Sequence, residues 1–383
     1  MAESNNTAPT ARSGSAAATR IVFFIGGFAI SAWAPLIPFA KHTLALDDGQ
    51  LGLMLLCLGV GSVLMMPLAG GLAARFGCRR AILAAGAVIC LCMPALMLAP
   101  SIPVLALVLA VFGASMGVLD VVMNVQAVIV ERASGRAMMS GFHGMYSVGG
   151  IAGAGGVAGA LALGASPLLA IGGMAVIAAV LLASARRGLL GDGGDGDHPA
   201  FVLPRGRVLL VGAVCFAMFL SEGAVLDWSA VFLTSVRNAD PATAGFGYVA
   251  FAVTMTVGRL TGDRIVQALG AFRVVLCGAL IAAAGFLLAI LVPSPLAGLA
   301  GFALVGAGAA NVVPVMFSAA GRQRSMPTHL AVAAVTTMGY AGVLLGPAAL
   351  GFIAKLTSLA AALGLLVVLL VAVASVARVA TRD

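Results

Sequence analysis

The chain has 383 residues, 62% of them hydrophobic and only 9% charged, with a formal net charge of +8 and a mean hydropathy of +1.13. Water-soluble domains carry about 25% charged residues, so this composition excludes a soluble enzyme or nucleic-acid-binding module and implies a polytopic membrane protein. The apolar runs are continuous and about 20 residues or longer, which fits membrane-spanning helices and excludes barrel strands.

Residues 1–19, rich in Ala, Ser, Thr and Asn, read as a disordered cytoplasmic tail. Twelve helices are then expected. The first six cover 20–40, 49–73, 80–99, 102–128, 137–163 and 166–186, and form an N-terminal bundle over 20–187. The other six cover 207–234, 242–262, 271–292, 295–319, 329–353 and 356–378, and form a C-terminal bundle over 207–378. A linker at 188–206 joins the bundles, and 379–383 is a short cytoplasmic tail. The first apolar run has no cleavage site and is followed by eleven more, so no signal peptide is expected. With the N-terminus inside, Lys41, Arg237 and Lys355 are the only Lys or Arg of the 21 placed outside. That asymmetry puts both termini in the cytoplasm of a bacterial inner membrane, and Arg259 is counted among the cytoplasmic charges.

Helix 1 has no acidic residue, and Trp33, Pro35 and Pro38 occupy its outer half, where a proline permits a bend. Helix 2 ends in PLAGGLAARFGCRRAIL, where Gly70, Gly71 and Gly77 allow close backbone approach and Arg75, Arg79 and Arg80 face anionic headgroups. Helix 4 carries Asp120 and Asn124 at i, i+4, on the face continued by Gly113 and Gly117. A carboxylate at bilayer depth costs roughly 2.5–3.5 kcal/mol, so it faces a cavity or a partner. Helix 5 sets His143, Tyr146 and Ser147 on one face in GFHGMYSVGG.

The linker holds Asp192, Asp195, Asp197 and His198, but their spacing is not that of a calcium loop, and a solvated connection is the better reading. Helix 7 carries Glu222, Asp227 and Trp228. The first two lie about 140° apart around the helix, so both cannot face one site. Asp120 and Glu222 fall within about a turn of their helix midpoints. VGRLTGDRIVQALGAFRVVL (257–276) covers the end of helix 8 and the turn after it, with Asp263 and Arg264 read as a gating element. Asn311 lies in helix 10, and Thr336, Thr337 and Tyr340 lie in helix 11. The six cysteines show no metal spacing and read as packing residues.

The turn after helix 2 resembles the loop signature of the major facilitator superfamily, with Gly70, Arg75, Gly77, Arg79 and Arg80 in place and Ala74 where that family has an acid. Residues 257–276 resemble its degenerate second copy, with Gly258, Asp263, Arg264, Gly270 and Arg273, and here the acid is present. Gly117-x-x-Asp120-Val-Val is echoed by Gly308-x-x-Asn311-Val-Val, which relates the two halves. The resemblance covers the chain from Arg20 onward. It implies two pseudo-symmetric six-helix bundles, a monomer, and a cavity lined by helices 1, 4, 7 and 10.

LDVVMN and GFHGMYSVGG are similar to helices 4 and 5 of fucose–proton symporters, whose helix 4 acid is the protonation site. Those symporters carry Asn at the position of His143 and use a helix 1 aspartate that this chain lacks. With WAPLIPFAK and EGAVLDWSAVF, the sequence is more similar still to the YbjJ/MosC subgroup. The expected function is therefore movement of a small polar solute, sugar- or polyol-like, coupled to protons through Asp120, Glu222 or Asp227. Asn124, His143, Tyr146, Trp228, Asn311, Tyr340 and Trp33 are the candidate solute contacts. Asp120 read blandly is a structural acid bonded to Asn124 or a neighbouring helix. The alternative function is proton-driven export of an apolar or cationic compound. No catalytic residue, metal or cofactor is expected, and no G-x-x-x-x-G-K-[ST] run occurs to bind ATP.

Overall fold

The computed structural model of the chain describes residues 14–46, 48–191, 203–239 and 245–382, which form helices and their connections. The first half contains α1 (Ser15–Thr43), α2 (48–76), α3 (78–98), α4 (Ile102–Ser134), α5 (Met139–Ala162) and α6 (Pro167–Ala185). The second contains α7 (Arg207–Ser235), α8 (Phe246–Leu269), α9 (Ala271–Leu291), α10 (Pro295–Arg322), α11 (Thr328–Leu356) and α12 (Leu359–Ala380).

Three of these helices are interrupted for identifiable reasons. α1 passes through a 3-10 turn at Ala34–Leu36, where Pro35 has no N–H to donate. α2 and α3 form one continuous run divided only at Gly77, whose φ of 80° and ψ of 154° favour a glycine. α10 is broken between Pro295–Ala309 and Val312–Arg322, at Ala310 and Asn311. Among the described residues, ten stretches are long and apolar enough to cross a membrane when α2 and α3 count as one, and α8 is not among the ten. α8 carries Arg259, Asp263 and Arg264 in its second part, which lowers its hydropathy although it packs as the other helices do.

The halves repeat one packing scheme. α1 lies against α5 in the first half, and α7 lies against α11 in the second. Between the halves, α5 meets α8 and α2 meets α11. With twelve spans, both termini emerge on one face, called here the termini face. Small residues allow the close approaches, as expected where lipid supplies no hydrophobic drive between helices. A Cβ on Gly149 would collide with the backbone carbonyl of Phe24, and one on Gly153 with that of Phe28. Gly149→Val is therefore expected to cost about 1–3 kcal/mol through overpacking of α1 on α5. A lowered thermal transition of the detergent-solubilised protein would show it.

Several expectations change. α1 starts at Ser15, not at residue 20, because the Ala-rich stretch is a good helix former and has tertiary support. The Thr19 hydroxyl donates to the Ser15 carbonyl at 2.8 Å, and Gln126 Nε2 donates to that hydroxyl at 3.0 Å. The start of the linker is also held in place. Leu189 is buried, the Leu190 N–H donates to Gln126 Oε1 at 3.2 Å, and the Arg79 N–H donates to the Leu190 carbonyl at 2.8 Å. Residues 1–13 of the expected tail lie outside the described residues, as do Asp192, Asp195, Asp197 and His198. Arg259 is not at the termini face. It is buried, 8% exposed, near the middle of α8.

Candidate functional site between the halves

Asp120 lies near the middle of α4 and is 8% exposed. Asn124, one turn on, donates from Nδ2 to the backbone carbonyl of Asp120 at 2.8 Å, leaving the carboxylate to other partners. That partner comes from the other half. The Tyr340 side chain of α11 lies beside Asp120 and beside Tyr146 of α5. Tyr146 reaches this position over Gly26 of α1, where a Cβ would stand 3.1 Å from its ring. One acid and two phenols from α4, α5 and α11 thus meet across the seam.

A second polar group lies on α7 and α8. Arg259 Nη2 is 3.4 Å from Glu222 Oε2 and 3.5 Å from Oε1. Its Nη1 donates to Ser147 Oγ of α5 at 3.3 Å, and its Nε to the Ala310 carbonyl at 3.4 Å, where α10 breaks. The two ionised side chains offset each other in a place where either alone would be costly. Asp227, five residues beyond Glu222, is exposed and stands apart from this pair, as the angular separation requires.

The remaining candidates fall into two kinds. His143 is wedged between aromatic rings of both halves, 5.2 Å from Phe23 of α1 and 5.5 Å from Phe317 of α10, with its Nε2 unpartnered. Asn311 donates from Nδ2 to the Gly258 carbonyl at 3.0 Å, and its buried Oδ1 fits only because Gly262 has no side chain. Trp33 and Trp228 each keep a buried indole N–H without an acceptor among the described residues, and Trp228 lies over Gly351 of α11. Such groups cost stability unless a ligand or water meets them.

Toward the termini face the halves are tied directly. Asp263 Oδ1 of α8 accepts the Gly141 N–H of α5 at 3.0 Å across the halves, and within the first half Glu131 Oε2 of α4 accepts the Met138 and Met139 N–H groups at 2.8 Å each. Two carboxylates therefore satisfy orphan donors at the start of one helix, a favourable position for negative charge. Arg132 Nη1 donates to the Gly321 carbonyl at 3.1 Å and to Thr328 Oγ1 at 3.4 Å, and Gln267 donates to the Ala137 carbonyl at 3.3 Å.

The matching corner of the first half has no acid. Ala74 stands in its place, Gly70 packs under the His329 carbonyl, and Arg75 is exposed with its guanidinium 5.3 Å from the Phe76 ring. Arg79 contributes its backbone to Leu190, and Arg264 is exposed. Asp263→Asn is expected to speed thiol labelling of a cysteine placed at Ala137 severalfold, by weakening the α5–α8 tie.

Two features escaped the sequence reading. Arg259 sits four residues before Asp263 in a motif read as a loop, so it was assigned to the membrane surface. Its position, with Val257 and Leu260 as neighbours and no acid within the previous turn, was the available signal. Ser147 was recognised only as a neighbour of His143, and its partner lies in the other half.

The description of the Major Facilitator Superfamily matches residues 20–236. An MFS-type transporter of Yersinia pestis is 57% identical over 365 residues, covering 95% of each chain. The membrane protein MosC of Rhizobium meliloti is 33% identical over 346 residues, covering 89% of this chain and 84% of its own. Among solved structures, the fucose:proton symporter FucP of E. coli superposes with a TM-score of 0.80 at 15% identity, over 96% of this chain and 98% of its own. The fold, the paired halves and these relatives agree: the chain belongs to the Major Facilitator Superfamily and is a multi-pass membrane transporter, not an enzyme.

Proposed function

We propose that the chain moves a small polar solute, sugar- or polyol-like, across a bacterial inner membrane by alternating access, coupled to protons at Asp120. The observation that carries this reading is the Asp120 carboxylate buried at mid-depth beside a phenol from the opposite half. An acid placed on the seam changes its surroundings whenever the halves move, so proton occupancy and conformation are linked. Protonation removes the charge that opposes transfer through an apolar environment. The unpartnered indoles of Trp33 and Trp228 and the amide oxygen of Asn124 offer donors and an acceptor to hydroxyl groups, with aromatic faces beside them. The likeness in fold to the fucose:proton symporter FucP supports the same class. Both termini are assigned to the cytoplasm from the excess of Arg at the termini face.

Glu222 is the weaker proton carrier because Arg259 already balances its charge. Asp227 is weaker again, being exposed. The reading is tested in proteoliposomes loaded with a pH dye and offered sugars, polyols and organic acids. A solute that changes the internal pH supports it. Silence across that panel, together with proton movement driven by apolar or cationic compounds, would replace it with proton-driven export.

A further inference from the structure

We infer that Arg259 is a positioning residue that ties the two halves together at the depth of the site, through Ser147, while anchored in its own half by Glu222 and Ala310. Three observations lead there. The guanidinium contacts three different helices besides its own, α5, α7 and α10, and only the α5 contact crosses between halves. Its contacts span 3.3–3.5 Å, at the long end for N–H···O bonds, so no single partner holds it. The Ala310 carbonyl it meets lies at the break in α10, where intrahelical donors are lacking and a cation is favourably placed.

The geometry defines what happens when α5 and α8 separate. Arg259 travels with α8 and keeps Glu222 and Ala310, which belong to its half, so Ser147 is the partner it loses. Ser147 lies one residue from Tyr146 and one turn from His143, on the α5 face that also meets Tyr340 and Phe317. A tie at Ser147 thus fixes the height and rotation of the helix that carries Tyr146 toward Asp120. The Ser147 hydroxyl can accept from Arg259 while it donates to its own helix at the His143 carbonyl, 3.4 Å away. Ser147→Ala removes this tie without leaving a charge unpaired, because Glu222 remains with Arg259.

The test needs neither solute nor proton gradient, so its failure is separable from failure of the proposed function. The full chain is prepared with its native cysteines replaced and a reporter introduced as Ser140→Cys. Ser140 is 2% exposed and lies against Gly262 of the other half. N-ethylmaleimide labelling of that thiol in proteoliposomes reports opening between α5 and α8. Ser147→Ala is expected to raise the labelling rate about tenfold, the scale of losing one hydrogen bond to a charged group. Ser147→Thr, which keeps the hydroxyl, is expected to label at the parental rate. Arg259→Lys should resemble Ser147→Ala, since an ammonium lacks the planar fork that reaches three partners. Parental labelling in Ser147→Ala, or equal acceleration in Ser147→Thr, would overturn the assignment. Because the two Ser147 variants decide the question, a poorly folded Arg259→Lys leaves the test intact.

Discussion

Asp120→Asn is expected to abolish solute-driven proton movement, to the level of protein-free liposomes, while solute-for-solute exchange continues. Asn matches the size of a protonated aspartate and remains neutral, so it mimics one protonation state permanently. Exchange requires the loaded transporter to cross and return without releasing a proton, and a fixed neutral side chain allows that. Net coupled transport requires release, and the amide cannot supply it. The helix itself should tolerate the change, because Asn124 bonds to the backbone of residue 120 and not to its side chain. Dye-reported proton flux and labelled-solute exchange, measured on the same vesicles, check both halves of this expectation. Loss of both activities with an unchanged thermal transition would make Asp120 a solute ligand and not the proton carrier.

The second large effect concerns stability. Glu222→Gln leaves the Arg259 guanidinium without its counterion in the protein interior and is expected to cost about 3–5 kcal/mol. A thermal transition well below that of the parent in detergent would show this. Removing both charges as Glu222→Gln with Arg259→Gln is expected to recover much of the loss, since a buried pair is worth little more than neutral replacements of its shape. The pair distances of 3.4 and 3.5 Å fit that modest net contribution. If Glu222→Gln melts with the parent, the two groups do not depend on each other as described.

What the sequence disclosed follows from the physics of bilayers. Twelve spans were legible because lipid demands long apolar helices, but their ends were not, as the Ala-rich start of α1 at Ser15 and the run of α4 on to Ser134 show. The Gly77 turn was visible because glycine punctuates helices. Asp120 stood out because an acid at mid-depth is costly, and Asp263 because a recurring motif marked it.

The pairing of Asp120 with Tyr340 was not legible, since nothing local records which residue of the other half lies opposite. Arg259 was misplaced for a related reason. Positive charge near a turn motif reads as an interfacial anchor until Glu222 and Ser147 are seen around it. Asn311 and His143 were grouped with the solute contacts by residue type. The fold gives the first a carbonyl partner at Nδ2 and sets the second between two aromatic rings, while Asn311 Oδ1 and His143 Nε2 stay buried and open to a ligand or water.

The most direct test of proton coupling at the seam runs the cycle from the proton side. Vesicles containing the wild-type chain are given an imposed pH gradient, and accumulation of a labelled solute identified in the dye screen is followed. The account predicts accumulation above the external concentration, collapse on addition of a protonophore, and none in Asp120→Asn. Accumulation indifferent to the protonophore, or equal in Asp120→Asn, would contradict it.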